Sequence, residues 1–173
     1  MELSISDDAL AEIGKITVLF SHIEWSLSEI IARIVTVGGR VRELGLIVTA
    51  ELSFRQRINT VNSLLRLALG DDSPVVADFS RVKALLERAS DERNSVVHSV
   101  WAEDLTPASA SDVVRIRSTA RRKKGLHVEF VSLTLDDLAR ISQSIAEACV
   151  ELCVFETQFH PSTETEGSES ASE

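Results

Sequence analysis

The chain has 173 residues, of which 44% are hydrophobic and 26% are charged, and its formal net charge at pH 7 is -9. This length and composition are typical of one soluble domain rather than two. The negative charge argues against broad electrostatic attraction to nucleic acid. Cys149 and Cys153 are too few for a disulfide framework or a four-ligand zinc site. We interpret both cysteines as small buried apolar residues, and we expect neither a metal nor a cofactor.

The two ends of the chain indicate a location and a domain boundary. The N-terminal segment begins with acidic and polar residues where a secretory signal would be positively charged, and charges interrupt every apolar stretch. We therefore expect a cytoplasmic protein that does not associate with a membrane. Residues 161–173 contain four glutamates, no basic residue and no apolar residue larger than alanine. Such a segment cannot offset the entropy of ordering, so we predict a helical domain at residues 1–160 and a disordered acidic tail at 161–173.

Apolar residues that recur at steps of three and four predict two helices in the first part of the chain. The first helix spans approximately Asp7–Val35. The second begins at Ser53, which forms a capping-box pattern with Gln56, and ends at Gly70. The segment at 44–48 is either a helical turn or a buried loop.

A third helix carries its apolar seam as far as Val100, except that Arg93 occupies one position of the seam. The period then changes to that of strands. Residues 113–117 and 126–131 predict one β-hairpin, whose basic turn ends at Gly125.

The last predicted element is a helix capped by Thr134 and followed in its first turn by Asp136 and Asp137. Four apolar seams that cannot face water alone are best satisfied by packing around one shared core. The predicted fold is therefore an all-α four-helix bundle with a β-hairpin insertion before the last helix.

The most informative local feature is the end of the third helix, which contains Arg93, Asn94 and His98. On a continuous helix Asn94 and His98 share a face, whereas Arg93 lies about 140° from His98 around the axis. An arginine on an apolar seam needs an acceptor or a solvated cavity, because burying an unpaired charge is costly. One interpretation is structural, with Arg93 paired to Glu24 of the first helix and His98 bonded to a backbone carbonyl. The other interpretation is a ligand site.

The sequence Arg-Asn-Ser-Val-Val-His at 93–98 resembles the Arg, polar, any three, His motif of the HEPN superfamily (higher eukaryotes and prokaryotes nucleotide-binding). Its place late in the third long helix of a helical bundle is also similar to that family. The resemblance implies a homodimer with the two motif helices side by side and, in many members, metal-independent endoribonuclease activity in toxins or defence factors. It implies that Arg93 contacts the scissile phosphate, that His98 transfers a proton, and that Asn94 fills the polar position.

Two questions stay open at this stage. Some HEPN members have lost catalysis, so the alternative function is a noncatalytic helical module for dimerisation or protein interaction. If the protein is instead a toxin, we expect an antitoxin-like protein partner. The second question concerns the hairpin, whose basic residues are either contacts for the RNA backbone or solvated charges that keep a β edge from pairing with another chain. The basic residues of the strand and turn are Arg115, Arg117, Arg121, Arg122, Lys123 and Lys124.

Overall fold

The structure is a computed structural model that describes residues 5–36, 42–103, 113–121 and 125–159. Within these ranges the elements are α1 (Asp7–Val35), α2 (Arg42–Ala50), α3 (Phe54–Leu69), α4 (Pro74–Val97), β1 (Val100–Glu103), β2 (Val113–Arg121), β3 (Gly125–Leu133) and α5 (Leu135–Gln158). The described chain is mostly helical and contains one small antiparallel sheet of order β1-β2-β3. No described helix is long and apolar enough to cross a lipid bilayer. The acidic tail predicted at 161–173 lies outside the described residues.

Side-chain caps mark the starts of α1, α3 and α5. The predicted bounds of the first helix, Asp7–Val35, are confirmed. At the start of α3 the Gln56 backbone N–H donates to Ser53 Oγ (3.4 Å), and the Ser53 N–H donates to Gln56 Oε1 (2.8 Å). Thr134 and Asp137 form a second capping box at the start of α5. The backbone N–H and the hydroxyl of Thr134 donate to the Asp137 carboxylate and lower its pKa below the ordinary value.

Helix α1 occupies the centre of the helical layer, because it contacts each of the other four described helices. The predicted apolar seams of the long helices converge on one core, as hydrophobic burial requires. Its largest fully buried side chains include Ile16, Ile23, Leu27, Ile30, Ile58, Leu65, Phe79, Leu86, Ile145 and Leu152.

Residues 42–50, between α1 and α3, form a helix rather than a loop. α2 packs so closely on α1 that a Cβ added at Gly45 would lie 2.4 Å from the Cα of Ala32. The absence of a side chain at Gly45 therefore permits this close approach. Of the two possibilities for residues 44–48, a helical turn or a buried loop, the helix is the one observed.

The predicted hairpin is confirmed, and its strands pair from Val113 and Leu133 to Arg121 and Gly125. The sequence does not predict β1, which turns the hairpin into a three-stranded sheet. The predicted extension of the third helix to Val100 is wrong: α4 ends at Val97, and Val100 pairs with Ile116 of β2. The backbone of Val100 thus gains its partner from a distant strand rather than from the preceding helical turn.

The two cysteines differ in environment. Cys149 is half-buried, and burial together with the adjacent Cys153 raises the pKa of its thiol to about 11. Cys153 is exposed, which corrects the prediction that both cysteines are buried. The core positions of this part of α5 are taken by Leu152 and Phe155 instead.

Candidate functional site

The C-terminal end of α4 brings Arg93, Asn94 and His98 into direct contact. Arg93 Nη1 donates to Asn94 Oδ1 (3.1 Å) and lies 3.4 Å from Nε2 of His98. Asn94 Nδ2 in turn donates to Ser90 Oγ over a long 3.5 Å. Arg93 and Asn94 are half-buried, whereas His98 is exposed. The three residues singled out in the sequence therefore form one cluster at the surface.

His98 lies at the end of α4, within reach of the Arg93 side chain. His98 is the C-cap of α4, with φ -97° and ψ 25°, and its N–H donates to the Asn94 carbonyl. The turn into β1 is held by Trp101 Nε1, which donates to the Val96 carbonyl over 3.0 Å. Because His98 keeps the helical hydrogen bond to Asn94, its position stays about 140° around the axis from Arg93, and the long Arg93 side chain spans the separation.

The guanidinium of Arg93 is positioned without a carboxylate partner. Its Cζ lies 5.1 Å from the ring centroid of Phe20 on α1, a cation–π distance. Within the described residues no carboxylate forms an ion pair with Arg93, and its buried Nε has no hydrogen-bond partner. Phe20 and Asn94 therefore contact the cation, and no acid of the described ranges pairs with it.

The expected pair between Glu24 and Arg93 is replaced by another. Glu24 Oε1 lies 3.7 Å from Nη1 of Arg57, at the start of α3. Arg57 Nε and Nη2 also donate to the carbonyl of the buried Thr49, at 3.3 and 3.2 Å. Glu24 supports the packing of α1, α2 and α3, and its described ion pair does not extend to the Arg93 cluster.

A groove of about 440 Å³ opens beside Asn94, between the first turn of α3 and the middle of α4. The ring of Phe54, at its edge, lies 4.5 Å from the ring of Phe20 between centroids. The Arg93 guanidinium and the groove thus share one aromatic pair. The groove is lined by Ser53, Phe54, Arg55, Ile58, Glu87, Ser90, Asp91 and Asn94. Its charges are mixed, because Arg55 faces Glu87 and Asp91.

The basic residues of the hairpin do not form one described patch. Arg115 and Arg117 are half-buried, and Arg117 lies opposite Glu129 of β3. Arg121 is the last residue of β2, and Arg122, Lys123 and Lys124 lie outside the described residues. The described part of the hairpin therefore adds no cation to the contacts of Arg93 and His98.

Sequence reasoning missed Phe20, Phe54 and Ser90. Both phenylalanines fit the apolar seams of their helices. The spacing of apolar residues cannot distinguish a ring that only packs in the core from a ring that also contacts a cation. Ser90 lies four residues before Asn94, a spacing that places two helical side chains together. That spacing was the one available signal.

In the described part of the chain, no group of three or more His, Cys, Asp or Glu residues is arranged to hold a metal ion. Comparison of this chain with protein-family models, curated proteins and solved structures finds no match.

Proposed function

We propose that this protein is an RNA-binding protein of HEPN type that cleaves RNA as a metal-independent endoribonuclease, with Arg93 and His98 as its catalytic residues. The observation that carries the proposal is the guanidinium of Arg93, which has no carboxylate partner among the described residues and lies 3.4 Å from the exposed imidazole of His98. A fixed cation and a titratable base at one surface point are the two groups that phosphodiester cleavage requires.

The reaction follows from these two groups. His98 Nε2 accepts the proton of a ribose 2′-hydroxyl, and the 2′ oxygen forms a bond to the adjacent phosphorus. The bond from phosphorus to the 5′ oxygen breaks, which leaves a cyclic phosphate on one product and a 5′ oxygen that takes up a proton from a general acid or from water. Arg93 stabilises the additional negative charge on the phosphoryl oxygens with parallel N–H donors.

The contact between Arg93 and His98 also couples phosphate binding to the availability of the Nε2 lone pair. In the free protein, the Nε2 lone pair can accept from Arg93 Nη1 and is then occupied. A phosphate that takes the guanidinium donors releases this lone pair for the 2′-hydroxyl. Asn94 is a positioning residue in this scheme, because its Oδ1 holds Nη1 of Arg93.

The groove beside Asn94 suits a neutral part of the RNA better than a second phosphate. Glu87 and Asp91 repel an anion there, whereas Phe54 offers an apolar ring and Ser90 a hydroxyl. We assign the scissile phosphate to Arg93 and the neighbouring base or ribose to the groove.

The family resemblance extends the proposal to assembly and context. A homodimer that sets two α4 helices side by side would supply a second His98, and its imidazolium would protonate the leaving 5′ oxygen. We propose that such a protein acts in the cytoplasm as a toxin or defence factor, restrained by an antitoxin-like partner. Strong expression without any partner tests this part, since normal cell growth would count against toxicity.

The test of catalysis is RNA cleavage in EDTA by the wild type and by His98→Ala, with His22→Ala as the matched control. His22 is an exposed histidine of α1 and lies outside the cluster. We expect cleavage by the wild type and His22→Ala, and a loss of about 100-fold or more in His98→Ala, the usual range for a general base. Equal thermal unfolding midpoints of the three proteins would exclude a folding effect.

The competing function is a noncatalytic helical module, and the contact of Arg93 with Phe20 favours it, because it joins α4 to α1. That module predicts the reverse pattern. No RNA would be cleaved by any of the three proteins, and Arg93→Ala would lower the unfolding midpoint.

A further inference from the structure

The two faces of the sheet differ in what covers them. Val113 is fully buried, and Trp101 and Leu133 on the same face pack with it against Ala9 of α1 and Leu138 of α5. The opposite face carries apolar side chains with large exposed fractions. These are Val100 at 67%, Leu126 at 72%, Val128 at 41% and Phe130 at 68%. A contiguous apolar surface of this kind is typical of an interaction site.

β3 is also an edge strand of the described sheet, in which it pairs with β2. Natural proteins protect sheet edges with short strands, lysine or proline. β1, at the other edge, has four residues, whereas β3 has nine, and the β3 sequence Gly125–Leu133 contains neither lysine nor proline. β3 is therefore suited to receive another strand.

We infer that this strand is β3 of a second copy of the chain, paired antiparallel about a twofold axis at Val128. In this register Leu126 lies opposite Phe130 of the second copy on the apolar face. His127 lies opposite Glu129 of the second copy on the other face, twice by symmetry. The four residues that flank Val128 thus form an apolar pair and a pair of opposite polarity on each side of the axis, as stable cross-strand pairs require.

The neighbouring registers are less complementary. A twofold axis at Glu129 places two carboxylates directly opposite each other, which is destabilising. An axis at His127 places two imidazoles together, and an axis at Phe130 places Glu129 against Val131. β3 is therefore self-complementary about Val128, and this self-complementarity favours a second copy as the partner.

This contact is separate from the proposed catalytic cluster. β1 follows His98 directly, and β3 lies two strands further across the sheet. Two strand spacings correspond to about 10 Å, so a second copy on the outer edge of β3 leaves the cluster open. The inference does not depend on the proposed RNA chemistry.

Disulfide trapping tests the register in a chain with Cys149→Ser and Cys153→Ser. Val128→Cys should cross-link to its symmetry mate on oxidation, because directly opposed residues lie within disulfide reach. Phe130→Cys alone should not, since the two Phe130 positions are offset by four residues, about 14 Å. A mixture of Leu126→Cys and Phe130→Cys chains should form a mixed disulfide, and it serves as the test if Val128→Cys fails to fold.

Sedimentation in solution gives the second readout. Val128→Lys sets two ammonium groups opposite each other, so we expect the mass of the assembly to fall by half with an unchanged helical circular dichroism spectrum. RNA cleavage per folded chain, measured on the same variant, should not change, which keeps this inference distinguishable from the proposed function. Cross-linking by Phe130→Cys alone, or no cross-link together with an unchanged mass in Val128→Lys, would overturn the inference.

Discussion

Arg57 and Arg93 differ in the groups that contact their guanidinium ions. Arg57 faces the carboxylate of Glu24 and donates two hydrogen bonds to the carbonyl of Thr49. Arg93 lies over an aromatic ring, donates to an amide and approaches an imidazole. Both cations are half-buried, and one of them has an acid partner among the described residues.

The difference is between an arginine that joins helices through a carboxylate and a carbonyl and one whose described contacts include no carboxylate. Arg57 sits near the positive end of the α3 dipole, where a cation is unfavourable, and Glu24 offsets that cost. Arg93 has no acid partner among the described residues, and the proposed function assigns its guanidinium to a phosphate. If that proposal is right, an acid partner distinguishes the arginine that packs helices from the arginine that binds the substrate.

Among the substitutions that test the difference between Arg57 and Arg93, we expect Arg93→Lys to have the largest effect. Lysine keeps the positive charge but loses the planar fork of donors that matches a phosphate. We expect RNA cleavage to fall by about 100-fold or more, with an unfolding midpoint close to that of the wild type. Single-turnover cleavage beside a thermal melt measures both, and unchanged cleavage would remove Arg93 from the reaction.

The reciprocal change is Arg57→Met, which should affect stability and leave cleavage per folded molecule unaltered. The carbonyl of Thr49 loses two charged donors, and a buried acceptor that loses such donors costs about 1–3 kcal/mol. Glu24 contributes less to the loss, because its carboxylate stays partly hydrated. Urea denaturation gives the change in unfolding free energy. A loss of cleavage without a loss of stability would reverse the roles assigned to the two arginines.

Asn94→Asp converts the environment of Arg93 into one that resembles that of Arg57. The new carboxylate would stand at the position of the Asn94 amide oxygen, 3.1 Å from Nη1 in the present structure. We expect cleavage to fall by about tenfold, since roughly 1.4 kcal/mol of competition with the phosphate corresponds to one factor of ten. Asn94→Ser is the matched control, because it removes the amide without adding charge. Equal cleavage by the two variants would show that the acid partner is not the decisive feature.

Sequence reasoning succeeded where structure is determined locally and failed where it depends on contacts between distant segments. The caps at Ser53 and Thr134 are short-range patterns, and both are present as predicted. The end of α4 at Val97 depends on Ile116, a residue of another strand, so the helical period of the apolar seam could not reveal it.

The candidate site shows the same limit. The motif from Arg93 to His98 is visible in the sequence, but the partner of each charge depends on how the helices face one another. Glu24 was expected to reach Arg93, and it reaches Arg57 instead. The ring of Phe20 beneath Arg93 was indistinguishable from an ordinary core position.

We expect the smallest effect on stability from a change at Asp137, an acid that is paired neither with Arg57 nor with Arg93. The pKa of Asp137 is lowered in the folded protein, chiefly because the Thr134 backbone N–H donates to its carboxylate. A lowered folded pKa means that this carboxylate stabilises the fold above the pKa of an ordinary aspartate, and that the stabilisation is lost as the pH falls through the folded value. Asp137→Asn should therefore lower the unfolding midpoint slightly at pH 7, and the difference from the wild type should shrink in acid. Thermal melts from pH 7 to pH 3 measure this difference. A difference that stays constant with pH would assign the effect to the shape of the cap rather than to its charge, and it would leave the contrast between the two arginines as the dominant electrostatic feature of the fold.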